Sequence, residues 1–144
     1  MILVTGGAGF IGSNFLHYLH KVSDEEVIVL DSLTYAANEK YIPAYCHFIW
    51  CDIRNEDHVN YLFNKFKPNK VFHFAAESHV DKSITNSNPF ISTNINGTIN
   101  LLNASLKVEV EKFHHISTDE VYGSLDYEDE ELFKETTPYD HLNP

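Results

Sequence analysis

The sequence has few basic residues. Its 144 residues include 10 lysines and arginines against 21 aspartates and glutamates, which gives a formal net charge of −11. Proteins that bind nucleic acids or anionic membrane surfaces need a surplus of lysine and arginine, so we expect neither partner. A small anionic ligand stays compatible with this charge, because helix N-termini and backbone N–H groups hold phosphate without basic side chains.

The sequence also lacks a long hydrophobic run and a signal peptide. No apolar run approaches the roughly 20 residues that a membrane-spanning helix needs. Met1–Val4 leads directly into Thr5-Gly6-Gly7, without the basic segment and the cleavage site that mark a signal peptide. These absences favour a cytoplasmic location.

Cysteine is scarce, and its spacing excludes the common redox and zinc motifs. Cys46 and Cys51 flank the segment His47–Trp50 and match neither C-x-x-C nor a zinc knuckle, so we interpret both as packing residues. The histidines considered as metal ligands are His73, His79, His114 and His115. No pair of them has the H-x-x-x-H spacing of helical zinc sites, and we predict no metal site.

Short apolar runs recur along the chain, which has room for one domain. Apolar residues make up 43% and charged residues 22% of the sequence, the balance of a globular protein. The runs are Ile2–Val4, Val27–Leu30, His47–Trp50, Val71–Ala76 and Phe113–Ile116. Such unalternated runs are typical of strands buried on both faces of a parallel sheet.

Segments with helical periodicity alternate with these strands. They predict helices over Ile11–Leu19, Val59–Phe66 and Phe90–Leu106, the last after Asn88-Pro89, where the fixed φ of proline suits a first turn. The β-α-β-α order predicts a doubly wound α/β fold with right-handed crossovers. The acidic stretch Asp126–Glu131 is interpreted as a solvated loop.

A glycine-rich turn, Thr5–Gly12, joins the first predicted strand to the first helix. Gly6 would permit the tight turn, Gly9 would let the backbone approach a pyrophosphate, and Gly12 would let the helix lie close to the strand. The helix N-terminus would face the diphosphate with its N–H groups. By itself such a turn is also compatible with a purely structural role. With the five strands, it predicts a Rossmann sheet of order 3-2-1-4-5.

Acidic residues follow the second and third predicted strands. Asp31 lies about 20 residues after the turn, where an acidic residue accepts hydrogen bonds from an adenosine ribose, and its charge favours NAD over NADP. The alternative is a polar residue that caps the strand end. Asp52-Ile53 lies at the carboxyl edge, where ligands of open α/β sheets bind. Asp52 could equally help to start the helix near Asn55.

With these motifs, the sequence resembles the extended short-chain dehydrogenase/reductase family, which carries T-G-x-x-G-x-x-G where Thr5–Gly12 stands. Within that family, Asp31–Ala36, His73–Asp81 and Ser117–Gly123 resemble the dTDP-glucose 4,6-dehydratases. The resemblance implies NAD as cofactor and dTDP-glucose as substrate. The NAD contacts that the motifs and the resemblance together predict are Gly6, Gly9, Phe10, Ile11, Gly12, Asp31, Ser32, Leu33, Thr34, Asp52, Ile53, Phe74, Ala75, Ala76, Glu77, Ser78 and Thr93.

The resemblance also implies the chemistry. In the family, NAD takes a hydride from sugar C4, water leaves across C5 and C6, and the hydride returns to C6. Elimination needs a base at C5 and a proton donor for the C6 hydroxide. The resemblance assigns Glu120 as that base, Asp119 as that acid and Thr118 as a partner of the C4 oxygen, with Ser78 also facing the sugar. Without it, adjacent carboxylates would equally suit a solvated loop or a helix cap.

The family pattern extends beyond this chain. The segment Pro138–Pro144 resembles the approach to a Y-x-x-x-K helix, so we expect residues 1–144 to be an incomplete NAD-binding Rossmann domain, truncated before the sixth strand and the substrate subdomain. The resemblance implies a homodimer for the full-length protein, built through a four-helix bundle. The alternatives are a UDP-sugar dehydratase or epimerase, and an NAD-binding module without activity of its own.

Overall fold

The computed structural model describes residues 1–125 and 132–140. The predicted acidic loop Asp126–Glu131 and residues 141–144 of the segment that resembles the approach to the Y-x-x-x-K helix lie outside the described residues. The described residues contain five strands: β1 Ile2–Thr5, β2 Val27–Asp31, β3 His47–Trp50, β4 Lys70–His73 and β5 Lys112–His115. They form one parallel sheet in the order β3-β2-β1-β4-β5, which confirms the predicted fold class and strand order.

Helices connect the strands at the predicted places. The helices are α1 Phe10–Val22, α2 Glu56–Phe66, α3 Val80–Thr85, α4 Asn88–Phe90 and α5 Thr98–Lys107, with a π-helical segment Ile91–Gly97 between the last two and single 3-10 turns at Glu39–Tyr41 and Asp119–Tyr122. The predicted helix over 90–106 is therefore interrupted by an irregular segment that the sequence pattern does not reveal. In the described residues, no helix has both the length and the apolar character needed to cross a bilayer.

Both faces of the central strands are covered by helices. On one face, Ile2 and Val4 of β1 belong to a cluster with Leu16 and Leu19 of α1. On the other face, the cluster of buried side chains includes Leu3, Ile28, Leu30, Val71, Val59, Leu62, Phe63, Leu101 and Ala104. This two-sided burial explains why β1 and β2 are apolar at successive positions instead of alternating with polar residues.

The two edge strands differ from this pattern. His47 and Trp50 at the ends of β3 are exposed, and so are His114 and His115 in β5. The prediction that all five strands are buried on both faces is therefore wrong for β3 and β5. Among the residues that the structure describes, each of these strands has a neighbouring strand on one side only, whereas the large apolar clusters are centred on β1 and β2.

Candidate functional site

A cleft lies at the carboxyl edge of the sheet, where ligands of open α/β folds bind. Its lining residues are Gly6, Leu30, Asp31, Ser32, Thr34, Cys51, Asp52, Ile53, Arg54, Phe74, Ala75, Ala76, Glu77 and Thr93. Most of these are predicted cofactor contacts, which the structure brings together from the ends of β1 to β4 and from the π-helical segment. Gly9, Phe10, Ile11, Gly12, Leu33 and Ser78, which are also predicted contacts, do not line it.

The glycine turn brings the ends of β1 and β4 into close contact. Gly6 has a φ of +71°, and a Cβ atom there would lie 2.5 Å from the backbone nitrogen of Ala75. A Cβ on Gly12 would lie 2.3 Å from the Gly6 carbonyl oxygen. The close neighbour of Gly12 is therefore the turn itself, whereas the sequence predicted the strand. A Cβ on Gly9 would meet only that same oxygen, at 3.3 Å. Gly6 and Gly12 therefore have no room for a Cβ.

Helix α1 begins directly after this turn. Its N-cap is Gly9, which has no side chain to cap the helix, and the first turn contains no acidic residue. Phe10 and Ile11 in that turn are 80% and 63% exposed. The first turn of this 13-residue helix thus carries no acidic side chain of its own, which suits an anion-binding helix terminus.

Asp31 joins the glycine turn to the loop after β2. Its side chain is only 8% exposed, with Oδ2 accepting a hydrogen bond from the Ala8 N–H (2.9 Å) and Oδ1 accepting one from the Leu33 N–H (2.8 Å). Leu33 has a φ of 53°, a left-handed conformation that this bond helps to hold. A carboxylate accepts about four hydrogen bonds, so two acceptor positions remain for a ligand. The strand-capping and ribose-binding interpretations are therefore compatible.

Asp52 forms an ion pair with Arg54 across the cleft wall. Its Oδ1 accepts hydrogen bonds from the Arg54 backbone N–H and from Nε, both at 2.9 Å. The Arg54 side chain lowers the pKa of Asp52 by hydrogen bonding, and Asp52 stays ionised. The side chain of Asp52 does not cap the next helix, because the N-cap of α2 is Asn55, whose side chain accepts from the His58 N–H at 3.0 Å.

Two asparagines that the sequence analysis missed hold the walls of the cleft. Asn94, in the π-helical segment, accepts from the Glu77 N–H (2.8 Å) and donates to the Glu77 carbonyl (2.9 Å). Asn100 donates to the Ile53 carbonyl (3.0 Å). Asparagine is unfavourable inside helices, because its side chain competes for backbone groups. The predicted helix Phe90–Leu106 contains four asparagines, and this accumulation was the signal that could have found these contacts.

The predicted catalytic residues lie one strand away from the cleft lining. Thr118, Asp119 and Glu120 follow β5, the neighbour of β4, and all three are exposed. The Thr118 hydroxyl accepts a hydrogen bond from the Glu120 N–H (3.3 Å), which starts the 3-10 turn. The sheet therefore places the two carboxylates beyond the same edge as the cleft, on a tight turn. In the described part of the chain, no group of three or more His, Cys, Asp and Glu residues could hold a metal ion.

A doubly wound parallel sheet with a glycine turn and an acidic residue at the second strand end defines a Rossmann-type α/β protein. Comparison with protein families matches residues 2–144 to the NAD dependent epimerase/dehydratase family. The chain belongs to this family.

Several known proteins are similar to the chain. The low-salt glycan biosynthesis protein Agl12 of Haloferax volcanii is 45% identical over 148 residues, which cover 99% of the chain and 46% of that protein. A dTDP-glucose 4,6-dehydratase of Neisseria gonorrhoeae is 45% identical over 158 residues, covering 99% of the chain and 45% of that enzyme. The chain thus spans less than half the length of the curated relatives it matches.

Solved structures of two enzyme types, a dehydratase and an epimerase, superpose equally well on the chain. The DesIV dTDP-glucose 4,6-dehydratase of Streptomyces venezuelae, solved with NAD, superposes with a TM-score of 0.89 at 40% identity, covering 99% of the chain and 46% of that enzyme. A UDP-glucose 4-epimerase of Thermus thermophilus, also solved with NAD, has a TM-score of 0.90 at 34% identity, covering 99% and 45%. The fold alone therefore does not distinguish dehydratase from epimerase.

Proposed function

We propose that residues 1–144 form the NAD-binding Rossmann domain of a nucleotide-sugar 4,6-dehydratase that converts dTDP-glucose to dTDP-4-keto-6-deoxyglucose and water. The observation that carries this proposal is the joint presence of the cleft and the carboxylate pair at one sheet edge. Gly6, Asp31 and Glu77 line the cleft, and Asp119 and Glu120 follow the adjacent strand. Relatives named dTDP-glucose 4,6-dehydratase are more than 40% identical to the chain, which supports dTDP-glucose as the substrate.

The residues of the cleft fit NAD. The close approach of Gly6 to Ala75 and the open side of Gly9 leave backbone where a pyrophosphate would lie against the start of α1. The two remaining acceptor positions of Asp31 suit the hydroxyls of the adenosine ribose. A 2′-phosphate at the same place would meet a buried carboxylate, so the site favours NAD over NADP.

The remaining predicted contacts divide by position. Ser32, Thr34, Asp52, Ile53 and Thr93 line the cleft beside Asp31, while Phe74, Ala75, Ala76 and Glu77 form the wall next to the glycine turn. We assign Gly9, Phe10, Ile11 and Gly12 to the start of α1, and Leu33 and Ser78 to the loops that flank the cleft. As the family resemblance implies, Ser78 would face the sugar together with Thr118.

The dehydration is carried by residues after β5. Bound NAD would supply hydride acceptance from C4 and hydride return to C6. Glu120 takes the proton from C5, which is acidified by the neighbouring ketone, and Asp119 gives a proton to the departing C6 hydroxide. Thr118 hydrogen-bonds the C4 oxygen. General acid and base roles of this kind each contribute about 10²–10⁴-fold in rate.

The proposal extends to assembly and location. Ile91, Ile95, Ile99, Leu102 and Leu106 are exposed by 44–80% and recur at intervals of three or four residues along the π-helical segment and α5. Such an apolar helical face suits a helix-bundle interface, and we assign it to a homodimer of the full-length protein. We also propose a cytoplasmic location for the protein.

A second candidate is a UDP-sugar 4-epimerase or dehydratase, because the epimerase structure superposes as well as the dehydratase does. The Asp119-Glu120 pair favours the dehydratase, since an epimerase has no water to eliminate. Saturation-transfer NMR of the full-length protein with dTDP-glucose and UDP-glucose identifies the preferred nucleotide. Saturation-transfer signals from UDP-glucose alone would show that dTDP-glucose is not the preferred substrate.

The carboxylate roles are tested with paired variants of the full-length protein. We expect Glu120→Gln to keep NAD and substrate binding and to lose solvent-deuterium incorporation at C5, because an amide does not accept that proton. We expect Asp119→Asn to oxidise C4, visible as transient NADH, and to slow water loss. Glu111→Gln, an exposed carboxylate before β5, is the matched control. Turnover of both variants equal to wild type would refute the assignment.

A further inference from the structure

His73 is a buried polar residue with no role in the proposed chemistry. It ends β4 beside β1, and its side chain is 1% exposed. Both ring nitrogens have partners: Nδ1 lies 2.7 Å from the Thr5 hydroxyl, and Nε2 lies 2.9 Å from the Thr98 hydroxyl. The imidazole therefore connects the central strands to the first residue of α5.

The direction of each hydrogen bond follows from counting protons. The Thr98 hydroxyl donates its single proton to the backbone carbonyl of Asn94 (2.6 Å), so the Thr98 oxygen accepts from His73 Nε2–H. In a neutral imidazole, Nδ1 is then an acceptor, and the Thr5 hydroxyl donates to it. The Thr5 oxygen in turn accepts from the Ala75 N–H (3.4 Å). One continuous chain of hydrogen bonds runs from Ala75 to Asn94 in a single tautomer of His73.

Both ends of this chain reach the cleft. Ala75 lines it and is the residue against which Gly6 packs most closely. Asn94 holds the backbone of Glu77, another lining residue, by two hydrogen bonds. The network thus fixes the wall 75–77 from both ends, while His73 itself lies beneath the cleft and is not among its lining residues.

We propose that His73, as the neutral Nε2–H tautomer, is a positioning residue that sets the wall 75–77 of the cofactor cleft through Thr5 and Thr98. This rests on the proposed binding of NAD to the cleft. Histidine suits the position because a neutral imidazole accepts on one side and donates on the other. An apolar residue there would remove the acceptor of the Thr5 hydroxyl proton and the donor to the Thr98 oxygen.

The test compares Thr98→Val with Thr98→Ser in the full-length protein. Valine keeps the shape of threonine and removes the hydroxyl, whereas serine keeps the hydroxyl. We expect the dissociation constant for NAD, measured by titration calorimetry, to rise about tenfold in Thr98→Val, because His73 Nε2–H loses its acceptor. Thr98→Ser should have the wild-type dissociation constant for NAD. His17→Gln, an exposed histidine on α1, is the control and should bind NAD normally.

A direct reading of the tautomer keeps the proposal testable if a variant fails to fold. ¹⁵N NMR of the wild-type protein should show His73 protonated at Nε2 alone at neutral pH. A proton on Nδ1, or wild-type NAD affinity in a folded Thr98→Val protein, would overturn the positioning role while leaving the proposed function intact. Absence of NAD binding by the wild-type protein would instead overturn both.

Discussion

Acidification should destabilise the folded protein through His73. Burial is the main cause that lowers the pKa of this histidine to about 4 from the ordinary value of 6.5, and the neighbouring His115, 5.1 Å away between ring centroids, adds to it. Between these two pH values the unfolded chain binds a proton that the folded protein does not. The stabilisation is therefore complete above pH 6.5 and is lost as the pH falls towards 4.

The size of the effect follows from the same two values. At 1.36 kcal/mol per pH unit, the span from 6.5 to about 4 corresponds to about 3 kcal/mol. Most of it, about 2.5 kcal/mol, falls between pH 7.5 and pH 4.5. This is a large share of the 5–15 kcal/mol that stabilises a typical domain.

Urea denaturation of the full-length protein at pH 7.5 and pH 4.5 measures this loss. We expect His73→Gln to lose about 2.5 kcal/mol less free energy of unfolding than wild type over this interval, because the variant has no imidazole to protonate. The carboxylates titrate alike in both proteins and cancel in the difference. His17→Gln, which removes an exposed histidine, should lose as much as wild type. Equal losses in His73→Gln and wild type would refute the argument.

Two further predictions concern the glycine turn and the exposed helical face. Gly6→Ala should lower the melting temperature and weaken NAD binding, because its φ of +71° and the 2.5 Å approach to Ala75 leave no room for a Cβ. Thermal unfolding and calorimetry check this, and an unchanged melting temperature would contradict it. The chain of 144 residues expressed alone should associate irregularly, since the face containing Ile95 and Ile99 is exposed. It should show no dehydratase activity, because it spans less than half the length of the dehydratases that it matches. A clean monomer in sedimentation would contradict the predicted association. Measurable formation of the 4-keto sugar would contradict the predicted lack of activity.

Much of the fold could be predicted from local patterns. Ile2–Val4 and Val27–Leu30 are apolar without alternation because both faces of these strands are buried, and that burial is visible in the sequence of each strand. The glycine spacing in Thr5–Gly12 likewise reflects a local backbone requirement, since Gly6 and Gly12 have no room for a Cβ. The proposed roles of Asp119 and Glu120, in contrast, came from resemblance to a family and not from any local pattern.

The contacts that organise the cleft required the tertiary structure. Asp31 bonds to a residue 23 positions away, His73 to one 68 positions away, and Asn100 to one 47 positions away. A sequence pattern reports whether a position is buried or solvated, but it does not report which distant backbone group a polar side chain meets. By itself the sequence determined the strands and the glycine turn, because these depend on local periodicity and sterics, and the strand order followed from the Rossmann fold that the turn indicates. Only the packing of β1, β4 and α5 decided the hydrogen-bond partners of His73, because those partners come together when the sheet and its helices are assembled.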